Sequence, residues 1–147
     1  MKRILTVTAI VLLAACLLTA CNFNTNFSDT MGTTAAESTG KVENMLQALA
    51  DGNTDAALAL MHPDAVDKAE NPIAQMSDFL AGRAVAEMNQ TNLRVNTSSG
   101  TAGKTRQEVT NFQVILEDGT ELYVAATYYS DKTGEGFVSF QLVLGVV

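Results

Sequence analysis

The chain has 147 residues, enough for one domain with a single core and hardly for two. Aromatic residues make up 6% and tryptophan is absent, so a core rich in large rings is not expected. The formal charge is −7; with Lys2 and Arg3 at the extreme N-terminus, the rest carries 7 basic against 16 acidic side chains. Such a surface repels phosphate backbones, which speaks against nucleic-acid binding.

Met1-Lys2-Arg3 is a basic head, and Ile4 to Ala20 is apolar apart from Thr6, Thr8, Cys16 and Thr19. The run breaks at Asn22-Phe23-Asn24-Thr25-Asn26. A spanning helix usually needs about 20 apolar residues, and small residues ahead of a cysteine fit a processed signal peptide better. Leu18-Thr19-Ala20-Cys21 resembles the lipobox of bacterial lipoproteins. That resemblance implies a diacylglyceryl thioether on Cys21, cleavage just before it and, commonly, acylation of the new amine; two or more acyl chains anchor stably. Leu13-Ala14-Ala15-Cys16 also fits, but cleavage there would leave Leu17 and Leu18 in the tether and Cys21 as a spare thiol. Cys21 is therefore preferred. The mature chain then has no other cysteine, which excludes an internal disulfide, a thiolate metal site and a cysteine nucleophile. The expected layout is a signal peptide over residues 1–20, a lipidated cysteine and flexible tether over 21–34, and one domain over 35–147, on the extracytoplasmic face of the cell membrane. The tether, rich in Asn, Thr and Ser, reaches up to roughly 40 Å from the bilayer.

Helical spacing of Val42, Met45, Leu46 and Leu49 predicts a helix from Ala35 to Ala50, stopped by Asp51-Gly52. Thr54 is the expected N-cap of a short second helix that ends at His62-Pro63. Asn71-Pro72 is expected to open a third helix through Ala81, with Ile73, Met76 and Leu80 as its apolar stripe and Gly82 closing it. From Ala84 the period changes to two. An interrupted strand over 85–97, strands over 109–117 and 121–130 around Asp118-Gly119, a reversal at Gly134-Glu135-Gly136 and a last strand over 137–146 make an antiparallel meander. The expected class is α+β, with N-terminal helices packed on one face of a curved antiparallel sheet of about four strands.

A helix ending near Leu49-Ala50-Asp51-Gly52-Asn53, then Ala56-Ala57-Leu58, a His62-Pro63-Asp64 turn and long strands is similar to the nuclear transport factor 2-like (cystatin-like cone) superfamily. The resemblance spans about residues 35–147. It implies a bent sheet wrapped around helices, with a conical pocket that different members use for isomerisation, cyclisation, ligand binding or no catalysis at all; fold alone does not choose.

Parity sorts the strand residues into two faces. Phe112, Val114 and Leu116, with Leu122, Val124 and Ala126, and Val138, Phe140, Leu142 and Leu144, form an apolar face expected to pack on the helices. Asn111, Gln113 and Ile115, with Tyr123, Thr127 and Tyr129, and Phe137, Ser139, Gln141 and Val143, form a mixed polar and aromatic face. Tyr128, Phe112 and Phe140 are thus the candidate pocket residues, and Tyr123, Tyr129 and Phe137 the candidate interface. The resemblance implies dimerisation through that outer face, so a homodimer is an expectation.

Catalytic signals are weak. His62 is the sole histidine, too few ligands for zinc, and its place before Pro63 suits a partly exposed turn or capping role better than a pairing with Asp64 or Asp67. An isomerase of the ketosteroid type needs a carboxylate base and a buried acid donor. Tyr128 has inward parity, but the strand residues expected to face the pocket include no Asp or Glu, and Asp78 lies off the apolar stripe of its helix. Gly100 to Thr105 lacks the spacing of a phosphate loop, and Glu117, Asp118 and Glu121 lack that of a calcium loop. The expected function is a membrane-anchored, non-enzymatic module, without a cofactor or metal, that binds a small apolar ligand or a protein. The competing reading is a small cofactor-independent isomerase, dehydratase or cyclase.

Overall fold

The computed structural model describes residues 29–145, with side chains from residue 34. The signal segment, Cys16, Cys21 and the first part of the tether lie outside the described residues. Three helices, α1 (Asp29–Ala50), α2 (Thr54–Ala59) and α3 (Val66–Leu80), precede four strands, β1 (Val85–Gly100), β2 (Gly103–Leu116), β3 (Glu121–Asp131) and β4 (Gly134–Leu144). The strands form one antiparallel sheet in the order β1-β2-β3-β4. The sheet is curved and unclosed, an α+β arrangement as expected.

Helix α1 starts six residues before the expected Ala35, inside what the sequence suggested was tether. Its buried stripe is Ala35, Ser38, Thr39, Val42, Met45, Leu46 and Leu49. Once those turns are held against the sheet, each further residue adds a hydrogen bond at little cost, and the helix propagates toward its N-terminus. At the other end Asn53 N–H reaches the Ala48 carbonyl at 2.9 Å across Gly52, whose φ of +69° an L side chain rarely adopts.

Two helix starts differ from expectation. Asn53, not Thr54, caps α2: its side chain accepts from Ala56 N–H at 3.1 Å. Helix α3 opens at Val66 rather than at Asn71-Pro72, so Pro72 lies inside it. Burial of Ala69 one turn ahead of Ile73 extends the apolar stripe backward. The N–H that Pro72 lacks would have served the Lys68 carbonyl; both residues are exposed, so water reaches that group. The helices are tied together by polar groups, with Ser77 Oγ donating to the Leu49 carbonyl at 3.0 Å and Gly82 N–H to the Ala50 carbonyl at 3.0 Å.

On β2 and β3 the parity reading holds. Phe112, Val114, Leu116, Leu122, Val124 and Ala126 are buried in one cluster with Met45, Leu46 and Leu49 of α1 and Ile73 and Leu80 of α3. At the β2–β3 hairpin Gly119 alone takes a positive φ; Asp118 does not, and instead its carboxylate accepts from Thr120 N–H at 2.9 Å.

Strand β4 departs from simple alternation. Gly134 already pairs with Asp131, so the chain reverses at Lys132-Thr133 rather than at Gly134–Gly136. Tyr128 pairs with Phe137 and Thr127 with Ser139, leaving Val138 as the extra residue of a bulge. The bulge sends Phe137 into the core, edge-on to Tyr128 and Phe140 at ring distances of 5.3 and 5.2 Å. Phe137 is therefore not on the outer face as expected, while Val138, expected inside, is exposed. Leu144, also expected inside, is exposed near the end of the strand.

Beside the bulge, Leu60 to His62 lies along the start of β4. His62 N–H donates to the Phe137 carbonyl and Phe137 N–H to the Leu60 carbonyl, both at 2.9 Å. The chains cross so closely that a Cβ on Gly136 would lie 2.4 Å from His62 N and from the Met61 carbonyl carbon. Gly136→Ala is expected to cost about 1–3 kcal/mol, the usual penalty of overpacking. Urea unfolding should show a lower midpoint at unchanged slope; an unaltered midpoint would mean that the crossing relaxes freely.

Candidate functional site

Three places bring chemistry-bearing or exposed apolar side chains together. The first is on the inner sheet face, in the half of the β1–β2 hairpin nearer its turn. Glu108 is buried, and β2, starting at Gly103 rather than near Val109, gives it the same inward parity as Phe112. The expectation of no inward carboxylate fails here. Extending the alternation of Phe112 and Val114 two steps backward reaches Glu108, so the signal was present once the strand's true start was known.

Glu108 is clasped by cations. Lys41 Nζ from α1 lies 3.1 and 3.2 Å from its two oxygens, and Arg106 Nε donates to Oε1 at 2.8 Å. Arg106 Nη2 is buried without a hydrogen bond, 4.0 Å from Glu37 Oε2. Tyr128 is Glu108's cross-strand neighbour, and Lys41 Nζ sits 3.9 Å from the centre of its ring. Burial raises the Tyr128 hydroxyl above its ordinary pKa, and the charges of Glu135 and Glu108 push the same way. Both oxygens of Glu108 are already engaged by cations, and a tyrosine made less acidic is a poor donor. The group reads as a charge-balanced plug at the rim of the core.

The expected pocket residues divide. Phe112 and Phe140 are buried in the main cluster, and Tyr128 is half-buried against it. Their side chains fill the inner face with Phe137, Leu46 and Leu49.

The second place surrounds His62, which is buried rather than partly exposed as expected, although its turn role stands. Its Nδ1 accepts from Asp64 N–H at 3.2 Å, so Nε2 carries the hydrogen in the neutral ring and faces Asp131 Oδ1 at 3.4 Å. Asp131 also accepts from the hydroxyl of Thr133 at 2.5 Å and its N–H at 2.8 Å. The Asp64 carboxylate is 3.8 Å from Nδ1, while the partner on Nε2, Asp131, comes from the β3–β4 turn, which no local spacing could indicate. The ring of Tyr129 lies 5.7 Å from the imidazole, so this expected interface residue is already partly covered by the chain itself. Among the described residues no group of three or more His, Cys, Asp or Glu side chains is placed to hold a metal ion.

The third place is a groove of about 470 Å³ between α3 and β4, lined by Met61, Ala65, Ile73, Met76, Val138 and Phe140 among others. Past its β4 wall the strand continues to exposed Val143 and Leu144, and Tyr123, paired with Val143, is also exposed. Tyr123 thus stands on the outer surface as expected, its hydroxyl donating to Glu121 at 2.9 Å. Asp78 lies exposed on α3, away from both charged groups, as its helical phase indicated. Comparison with protein-family models, with curated proteins and with solved structures returns no match.

Glu108→Gln removes the charge between Lys41 and Arg106. Breaking a buried pair costs about 3–5 kcal/mol, and solvent access at the two cations reduces this to about 2 kcal/mol. Chemical denaturation should show the loss, and an unchanged stability would mean that water already screens the group.

Asp131 is held below the ordinary carboxylate range, first by the Thr133 side chain, then by Thr133 N–H, with His62 and Gly134 adding to it. A depressed folded pKa stabilises above the unfolded value and loses that contribution as pH falls through the folded one. Acid unfolding followed by circular dichroism should therefore be shallower below about pH 4 in Asp131→Asn than in the parent chain. Equal slopes would remove Asp131 from the acid response.

Proposed function

We infer that this chain is a lipid-anchored extracytoplasmic interaction module rather than a catalyst. The anchor is supported by Lys2-Arg3, the apolar run from Ile4 to Ala20 and the lipobox-like Leu18-Thr19-Ala20-Cys21. Among the described residues no helix is long and apolar enough to cross a membrane. The element order supports a cone-like domain of the nuclear transport factor 2-like kind.

One observation carries the functional reading. The inner face is filled by Phe112, Phe137 and Phe140, whereas Val138 stands exposed at the α3–β4 groove and Tyr123, Val143 and Leu144 stand exposed farther along the sheet. Apolar surface left in water next to an open groove favours contact with another molecule over chemistry inside. Binding of a small apolar ligand within the cone has less support, because those rings occupy its centre. An isomerase using Tyr128 and Glu108 has the right pair of residue types, but the two cations on Glu108 oppose it.

A photoreactive residue at position 143 is expected to give a discrete protein adduct in intact cells, and one at position 96, far along the β1–β2 hairpin, none. Cys21→Ala should lose both the membrane fraction and the adduct, while Cys16→Ala keeps both. Equal labelling at the two positions, or none at either, would sink the interaction reading. Loss with Cys16→Ala instead would move the anchor.

A further inference from the structure

His62 is the one histidine of the chain, and its side chain is 1% exposed. An imidazole is the side chain whose charge ordinarily changes between about pH 5 and 8. The surroundings of this ring hold it on nearly every side. His62 N–H donates to the Phe137 carbonyl at 2.9 Å, and Ala65 N–H to the His62 carbonyl at 2.8 Å. Gly136 passes so close to the Met61–His62 backbone that a Cβ has no room there. Nε2 faces Asp131 Oδ1 at 3.4 Å and the Thr133 hydroxyl at 3.5 Å. The charged groups facing the ring are Asp131, at the end of β3, and Asp64, in its own turn. Tyr129 of β3 presents its ring, and β4 presents the backbone of Gly136 and Phe137.

Nδ1 is the exception. It accepts from Asp64 N–H at 3.2 Å, and a proton cannot join it while that bond uses its lone pair. In a charged imidazole both nitrogens donate, so Nδ1–H would face Asp64 N–H, donor against donor. The ring has nowhere to retreat, because its backbone is bonded to β4 and pressed against Gly136. Pro63 is packed on Gly134, with 3.0 Å between its Cγ and the place of a Cβ there. What can yield is Asp64, whose side chain is 73% exposed and whose Oδ2 already lies 3.8 Å from Nδ1.

We propose that protonation of His62 exchanges one Asp64 contact for the other: the amide leaves Nδ1, and the carboxylate accepts from it. The gain is a charge-assisted hydrogen bond in place of a neutral one. The exchange turns the peptide between Pro63 and Asp64. Asp64 and Ala65 line the groove between α3 and β4, so the rim of that groove changes with the charge on the buried ring. As regulation of a contact made there, this rests on the interaction reading; the exchange itself does not.

The test is a nitrogen-15 titration of the full chain in detergent micelles, from pH 8 to about 5. That range lies above the one in which carboxylates ordinarily take protons. The imidazole signals should show hydrogen on Nε2 in the neutral ring and a proton joining Nδ1 on acidification. The Asp64 and Ala65 amides should move at the same pH as the ring. Asp64→Asn keeps the amide and removes the anion, so about threefold more acid should be needed for the same change. His62→Asn keeps an acceptor for the residue 64 amide and takes no proton, so that amide should stay still. Should this buried variant not fold, Asp64→Asn alone decides. An Asp64 amide that stays still while the ring titrates would overturn the proposal. So would a ring that takes no proton before the chain unfolds, or an Asp64→Asn chain that responds at the parent's pH. No partner enters the measurement, so these outcomes leave the interaction reading as it stands. Failure of labelling at position 143 likewise leaves the exchange as it stands.

Discussion

Phe112, Val114, Leu122 and Val124 point from one sheet face and leave water by packing on Val42, Met45, Leu46 and Leu49 of α1 and on Ile73 and Leu80 of α3. Most of the surrounding structure follows from that contact. Fully burying a side chain of this size is worth about 1.5–3 kcal/mol, so the helices are held wherever the sheet is dry. Their small polar groups are then placed to join them to each other. Ser77 and Gly82 of the α3 region both donate to carbonyls at the end of α1, Ser77 to that of Leu49, which also accepts from Gly52 N–H, and Gly82 to that of Ala50.

The same dry face sets the terms for every polar group that reaches it. Glu108 sits inside because it brings Lys41 and Arg106 with it, and Tyr128 closes over the lysine. His62 sits inside because both ring nitrogens are used, one by the backbone of its own turn and the other by Asp131. In both groups these partners fix the orientation of the buried side chain. Exposed apolar side chains stand at the far end of β4, at Val143 and Leu144.

The crossing of Met61-His62 over Gly136 links these two regions. It covers Phe137 and the first turn of β4, and the bulge at Val138 lies directly beyond it. One extra residue reverses the face of Phe137 relative to the rest of the strand. That single step explains why an aromatic expected at an interface is core, and why a valine expected in the core is exposed. The covered and open stretches of β4 meet at the same place.

Periodicity by itself determined the order of elements, the antiparallel meander, the inner faces of β2 and β3 and the α1 stripe, because those rest on local alternation that burial reinforces. The acidic balance and the lipobox-like cysteine were equally legible, being properties of composition and short spacing. Tertiary structure decided the rest. The start of α3 at Val66, the inward turn of Phe137, the burial of His62 and the clasp on Glu108 each depend on a partner distant in the chain. Glu108 meets Lys41 from 67 positions away and His62 meets Asp131 from 69. No window of neighbouring residues carries such information, since a buried charge or imidazole is tolerated only when the fold delivers its counterpart.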